Sequence, residues 1–374
     1  MDNYSKPAHY FERPTEIELI RSMAKGPLTA KQNQTLNNLL QTPADSKDAF
    51  IIKPAADFLQ ITNNQPNTGM LFGDFWYEGE LCILFADTNV GKSILAVQIG
   101  DALSRGTPIP RFAMKQQPST VLYFDFELND QQFAKRYTSD LHGRHQFGTS
   151  FYRVVFNPNA SGAHKFNSYH DYIINALENA LITSQARIII IDNITCLRSG
   201  TQAAASAISL MHRLQTLKNK YGLSILVLAH TPKRNPARPV TRNDLQGSKM
   251  LINFADSAFA IGESQAKTEM RYLKQIKQRS GSQVYGAANV YLCEIIKHYN
   301  FLQFEFVGPG NEADHLVHYT EQHRQNTEAR ITRLHQQGRS LRQIAKDTGI
   351  SFSTVFRLVK RLGDEEEVEQ NQEC

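Results

Sequence analysis

Cysteine is scarce and scattered. The four thiols, Cys82, Cys196, Cys293 and Cys374, form no CxxC pair, which excludes a disulfide framework and a zinc ribbon and points to a reducing cytoplasm. Twelve histidines show no metal-ligand spacing, so no zinc site is expected. No stretch holds the ~18 uninterrupted apolar residues needed to cross a bilayer. The N-terminal run MDNYSKPAHYFERPTEIELIRSMAKG mixes charges throughout and lacks the apolar core of an export signal. The chain therefore reads as neither exported nor membrane-embedded. Internal repeats and low-complexity tracts are missing too, and 374 residues suit two domains, or one large domain with an appendage.

The net charge of +5 is modest, but it is unevenly spread. Between Arg324 and Leu362 stand nine Lys and Arg residues against Glu328 and Asp347, a local +7. Asp364 and five glutamates follow in GDEEEVEQNQEC, a local −6. A basic block of this kind points to a polyanionic partner, and the acidic tail is ordinarily solvated.

From Leu81 onward, short apolar runs alternate with amphipathic segments. Leu81 to Phe85, Val121 to Phe124, Arg187 to Ile191 and Ser224 to Ala229 read as buried strands of a parallel sheet with crossover helices, an α/β class. After Asp256 the strands Ser257 to Ile261, Arg271 to Lys277, Val290 to Ile296 and Phe301 to Val307 follow closely, which predicts antiparallel strands at the sheet edge. Five regions are expected: a docking or mobile arm at 1–50, the α/β domain at 51–307, a linker at 308–325, a helical domain at 326–362 and the acidic tail at 363–374.

The first strand runs into Ala86, Asp87, Thr88, Asn89, Val90, Gly91, Lys92, Ser93 and Ile94, and a helical pattern follows. Strand, phosphate loop and helix in this order predict an ATP site. Backbone N–H groups and the helix N-terminus wrap the phosphates, Lys92 reaches the β- and γ-phosphates, and Ser93 ligates Mg2+. Ala86 stands where GxxxxGK[ST] has its first glycine, and binding is expected to survive this change. The strand ending in Asp192 supplies a second Mg2+-side carboxylate. Asn193 follows it, so the group that orients water must lie elsewhere; VLYFDFEL offers Asp125 and Glu127, and for Glu127 a solvent-exposed strand-end cap is an equal reading.

Together, Lys92-Ser93, Phe124 to Leu128, Ile190 to Asn193, Leu228 to His230 and Lys277-Gln-Arg279-Ser-Gly281 resemble the RecA-like, AAA-type ATPases of the DnaB-type and RepA-type hexameric helicases, over roughly residues 50 to 307. The resemblance implies that Glu127 activates water and that His230 senses the γ-phosphate. It also implies that Lys277 and Arg279 reach the nucleotide of a neighbouring subunit, which calls for a homo-oligomer, a hexamer by analogy. Alternation along the strand places those two cations on one face. The stretch TPKRNPARPVTRND, with Lys233, Arg234, Arg238 and Arg242, reads as a basic loop without secondary structure of its own. Loops there bind single-stranded DNA in the related ATPases; this one lacks aromatic residues for base stacking.

Glu328 to Gln337, Ser340 to Asp347 and Ser351 to Leu362 have the spacing of a helix-turn-helix. Gly349 allows the turn, and Val355, Leu358 and Leu362 face Ile331, Leu334, Leu341 and Ile344. Phe352, Ser353, Thr354, Arg357, Lys360 and Arg361 remain to meet duplex DNA. The segment resembles the helix-turn-helix of resolvases and invertases. The whole is expected to be an ATP-dependent DNA-binding motor or loader of plasmid or mobile-element replication type. The rival readings are an ATP-switched DNA-binding regulator and a recombination accessory protein.

Overall fold

The structure, a computed structural model, describes residues 54–57, 69–194, 203–232, 234–245, 249–317 and 321–361. The chain divides into two units, Met1–Pro66 and Asn67–Cys374. Nearly all of the first, including the expected N-terminal arm, lies outside the described residues, as does the acidic tail.

In the second unit, runs of β-branched and apolar residues form a nine-stranded sheet among the described residues. Its strands are β3 (Leu81–Ala86), β4 (Val121–Asp125), β7 (Phe151–Val154), β8 (Ile188–Asp192), β9 (Ser224–His230), β10 (Ser257–Glu263), β11 (Met270–Lys277), β12 (Val290–His298) and β13 (Phe301–Gly310). The order is β13-β12-β11-β10-β3-β9-β8-β4-β7. From β10 to β7 all neighbours are parallel, and β11 to β13 are antiparallel. Two short hairpins, β1 (Met70–Phe72) with β2 (Trp76–Tyr77) and β5 (Thr138–Ser139) with β6 (Gly143–Arg144), lie outside the main sheet.

The four expected core strands are present, each extending one residue past its apolar run, to Ala86, Asp125, Asp192 and His230. Two expectations change. Ser257 to Ile261 joins the parallel core beside β3, so the antiparallel part begins only at β11. Residues 308–317, expected as linker, are built into the domain: Tyr291 pairs with Pro309 and Val290 with Gly310, and Glu312–His315 forms a 3-10 turn with Glu312 and His315 buried. A proline is tolerated here because β13 is an edge strand, where a missing N–H breaks no ladder.

Alternation along each strand builds two cores. Cys82, Leu84, Ala86, Tyr123, Ile190 and Leu228 face helix α1 (Lys92–Arg105). Ile83, Phe85, Phe124, Ile191 and Val227 face α3 (Tyr169–Ser184) and α4 (Ala203–Tyr221); α2 (Asp130–Arg136) and α5 (Lys249–Phe254) are shorter. Because α1 is buried nearly all round, it has cover on its outer side as well. Phe304 and Phe306 of β13 supply that cover. Gln98 then accepts from the Phe304 N–H at 2.9 Å and donates to its carbonyl at 3.0 Å, satisfying edge-strand groups that would otherwise lack partners.

The basic segment near the C-terminus forms α6 (Glu321–Gln336), α7 (Leu341–Thr348) and α8 (352–361). Ser340 caps α7, and Gly349 ends it at φ 72°, in the left-handed region open to glycine. Ile331, Ile344 and Val355 form the core, joined by Leu334, Leu341, Ala345, Ile350, Leu358 and Val359. Leu362 lies outside the described residues.

Candidate functional site

Parallel neighbours present their C-terminal ends on one side, so the residues that end β3, β9, β8 and β4 are brought together. Ala86 is the last residue of β3, opposite His230, and its methyl group is buried in the core. This position is extended strand and makes no demand for the backbone freedom of glycine, which explains why the substitution is accommodated. Gly91 is different. Its φ of 110° lies in the left-handed region, and a Cβ there would stand 2.6 Å from Ile295 and 2.8 Å from Phe304. Val90 and Ile94 turn their side chains into the core, so these two expected nucleotide contacts are limited to their backbones. The N-terminus of α1 has no side-chain cap, leaving its first N–H groups directed at the loop, as a phosphate site requires. Arg271 of β11 steadies the loop from behind, donating to the Val90 carbonyl at 3.0 Å.

Lys92 is buried. Its ammonium group donates to the carbonyls of Ala86 at 3.0 Å and Asp87 at 2.8 Å, and meets His230 Nδ1 at 3.1 Å. Burial lowers its pKa, and Asp192, Glu127 and Asp87 oppose that shift. With Nδ1 accepting from Lys92, the other ring nitrogen, Nε2, carries the proton and donates to Glu127 Oε1 at 3.0 Å. The Asn193 amide donates to the same carboxylate oxygen. The bond from His230 is the main cause that holds the Glu127 carboxyl below its usual range, with burial working against it. Glu127 is thus ionised at neutral pH. Asp125, the other carboxylate offered by this strand, is buried and spent on structure, accepting from Arg153 at 2.8 Å and from the Leu128 N–H at 2.9 Å.

Asp192 has no solvent exposure. One oxygen accepts from the buried Tyr123 hydroxyl at 2.7 Å, and the other has no hydrogen-bond partner in the protein. Burial pushes the carboxyl up to about 6, against the pull of hydrogen bonds from Ser93 and Tyr123. An orphaned carboxylate oxygen beside a hydroxyl is a donor set that fits a cation completed by phosphate and water oxygens, the habit of Mg2+. Among the described residues no cluster of three or more His, Cys, Asp or Glu could hold a metal by itself.

The remaining expected residues are placed as follows. Lys277, at the end of β11, donates to the Ile252 carbonyl at 2.7 Å, and Arg279 meets Asp256 at 3.1 Å and the Asn253 carbonyl at 3.2 Å. The two therefore converge on the corner between α5 and β10, with Arg279 about half exposed (52%). Residues 231–232 and 234–245 carry more structure than expected. Thr241 caps a 3-10 turn at Arg242–Asp244, and Val240 is buried. Its N–H donates to Glu312 at 2.7 Å, and Glu312 also pairs with the buried Lys274 of β11. Arg234, expected at DNA, is mostly covered and turns to the phosphate loop, 3.6 Å from Asp87. Thr231 donates to the same carboxylate. Arg238 and Arg242 are exposed, and Lys233 lies outside the described residues. On α8, Phe352, Ser353, Arg357, Lys360 and Arg361 are exposed, with Arg361 paired to Glu328 at 3.1 Å, whereas Thr354 is partly covered and bonds to Ser351 at 2.8 Å.

Sequence reasoning missed Tyr123, Arg271, the Asp87–Arg234 contact and the part played by Asn193. Each depends on strands or loops far apart in the chain, and only the register of the sheet, in which Asp125 stands opposite Asp192, brings them together.

This geometry defines a P-loop ATPase domain on the same chain as a helix-turn-helix. Residues 49–236, half of the chain, match the AAA domain family, and the chain belongs to that family. Residues 324–367 match the homeodomain-like domain. Among solved structures, the KaiC-like protein of the hyperthermophilic archaeon Pyrococcus horikoshii is similar to 65% of this chain over 99% of its own length, with 14% identity and a TM-score of 0.44. No protein of curated function matches. Among the described residues no helix is long and apolar enough to cross a membrane.

Proposed function

We propose that the protein is an ATP-dependent motor or loader that acts on DNA, with a RecA-like core that hydrolyses ATP and a helix-turn-helix that holds duplex DNA. The observation that carries this reading is the meeting of Lys92, Asp192, Glu127 and His230 at the ends of adjacent parallel strands, where a phosphate-binding helix begins. In this reading the backbone from Asp87 to Ser93 holds the phosphates. Lys92 exchanges its loop carbonyls for the β- and γ-phosphates. Glu127, ionised and released from Asn193, orients the attacking water, and His230 links that carboxylate to the Lys92 end of the phosphate chain. Mg2+, held by Ser93 and Asp192, would neutralise charge on the phosphates.

Lys277 and Arg279 serve a neighbouring subunit in a homo-oligomer, hexameric by the helicase resemblance. The half-exposed guanidinium of Arg279 supports that role. Arg238 and Arg242 remain for single strands. The test is steady-state ATP hydrolysis by the wild type, Lys92→Ala and Glu127→Gln, each alone, with single-stranded DNA and with duplex. Turnover that single strands raise, and that either substitution lowers by about a hundred-fold or more, the usual scale for losing one preorganised catalytic group, is the expected result. No turnover by the wild type under any condition would replace the motor with an ATP-switched DNA-binding regulator.

A further inference from the structure

The apolar stripe of helix α8 is broad enough to have two edges. One edge supplies Val355, Leu358 and Val359 to the core of the helical domain. The other carries Phe352 and Phe356, one turn apart, 48% and 50% exposed, with ring centroids 6.4 Å apart and planes 25° from parallel. Neither ring belongs to the core of that domain. Exposing two phenyl rings side by side is costly unless a partner covers them. Arg357 and Lys360 stand beside them, exposed, in a segment that carries nine Lys and Arg residues against two acids between Arg324 and Leu362. The partner must therefore be both polyanionic and apolar at its reading surface. Duplex DNA meets both demands in its major groove, which admits a helix and displays the C5-methyl groups of thymine between two rows of phosphates.

We propose that Phe352 and Phe356 form the base-reading surface of this domain and take the C5-methyl groups of two nearby thymines; the inference rests on the duplex-binding role proposed above. The spacing agrees. Bases rise about 3.4 Å per step along a strand, so rings 6.4 Å apart match methyl groups one to two steps apart. Arg357 and Lys360 then meet phosphates at the groove edges. A second protein would also cover the rings, but the excess of cations around them favours the nucleic acid.

The test uses the full chain and short duplexes recovered by repeated binding from a random-sequence pool. The recovered duplexes are remade with deoxyuridine for thymidine, which removes only the methyl groups, and both forms are titrated by fluorescence anisotropy at one salt concentration. Each covered methyl accounts for about four-fold in affinity. The wild type should thus lose roughly ten- to twenty-fold on the uracil duplex. Phe352→Ala and Phe356→Ala should each bind the thymine duplex about four-fold more weakly and keep a thymine-to-uracil ratio of only about four, and the double variant should show a ratio near one. Equal wild-type affinity for the two duplexes overturns the inference, as does a ratio that Phe356→Ala leaves unchanged. Failure to recover any duplex sinks the duplex-binding role itself, and the inference with it.

Discussion

Tyr123→Phe deletes one oxygen from a ring that has no solvent exposure and leaves its packing against the α1 core intact. What it removes is the 2.7 Å hydrogen bond to Asp192, one of two that pull the carboxyl down against the burial that holds it at about 6. The carboxylate is charged above that value and neutral below it. Metal-dependent nucleotide binding should therefore hold at neutral pH and fall as pH drops through about 6. A hydrogen bond to a charged group contributes about 1.5–3 kcal/mol, and 1.36 kcal/mol corresponds to about one pH unit. In Tyr123→Phe the midpoint should move up by about one to two units, so that binding at neutral pH is already weakened while binding at higher pH is nearly normal. The assay is titration of a fluorescent ATP analogue at fixed, subsaturating Mg2+ across the pH range, with circular dichroism to verify the fold. An unmoved midpoint together with a pH-independent loss of affinity would show that Tyr123 only fills space and that its bond to Asp192 does not tune the site.

Two further outcomes follow from the geometry. Gly91→Ala forces a side chain into a left-handed position already pressed by Ile295 and Phe304, so analogue affinity should fall by at least about ten-fold; unchanged affinity would contradict the loop geometry. Glu312→Leu strands the buried Lys274 ammonium, which should cost about 3–5 kcal/mol, whereas the double change with Lys274→Met should cost less than the sum of the two single changes. Thermal unfolding reads both, and strict additivity would argue against the pair.

The parts of this fold that were legible from sequence are those where burial is complete. Strands β3, β4, β8 and β9 announce themselves as unbroken apolar runs, and the site gathers at or just past their C-terminal ends, with Asp192 ending β8 and His230 ending β9. β7, with the sequence FYRV, is only four residues long and largely half-exposed, so it offers no run to read. The linker expectation changes over 308–317 because Gly-Pro-Gly reads as a breaker, yet an edge strand absorbs it. Arg234 was assigned to DNA by its charge; the partner that draws it inward, Asp87, is a phosphate-loop residue 147 positions earlier. Gly349, Ser351 and the Ile331–Ile344–Val355 core were readable because a helix-turn-helix makes its contacts locally. Phe356 was passed over because one exposed phenylalanine in a helical pattern looks like core until its side of the helix is known.

The central position of β3 has a bearing on biosynthesis. The strand that leads into the phosphate loop has no early neighbour: its N–H groups and those just before it bond to residues 145 and 175 positions later, and Gln98, a turn and a half into α1, meets Phe304 across 206 residues. A ribosome making this chain from its N-terminus exposes the ATP-binding motif long before any strand exists to hold it. Such long-range pairing slows folding and leaves apolar segments open to aggregation or chaperones in the meantime. The contacts that back the phosphate loop and α1, from Ile295 and Phe304 to Gly91 and Gln98, cannot form until β12 and β13 have been made.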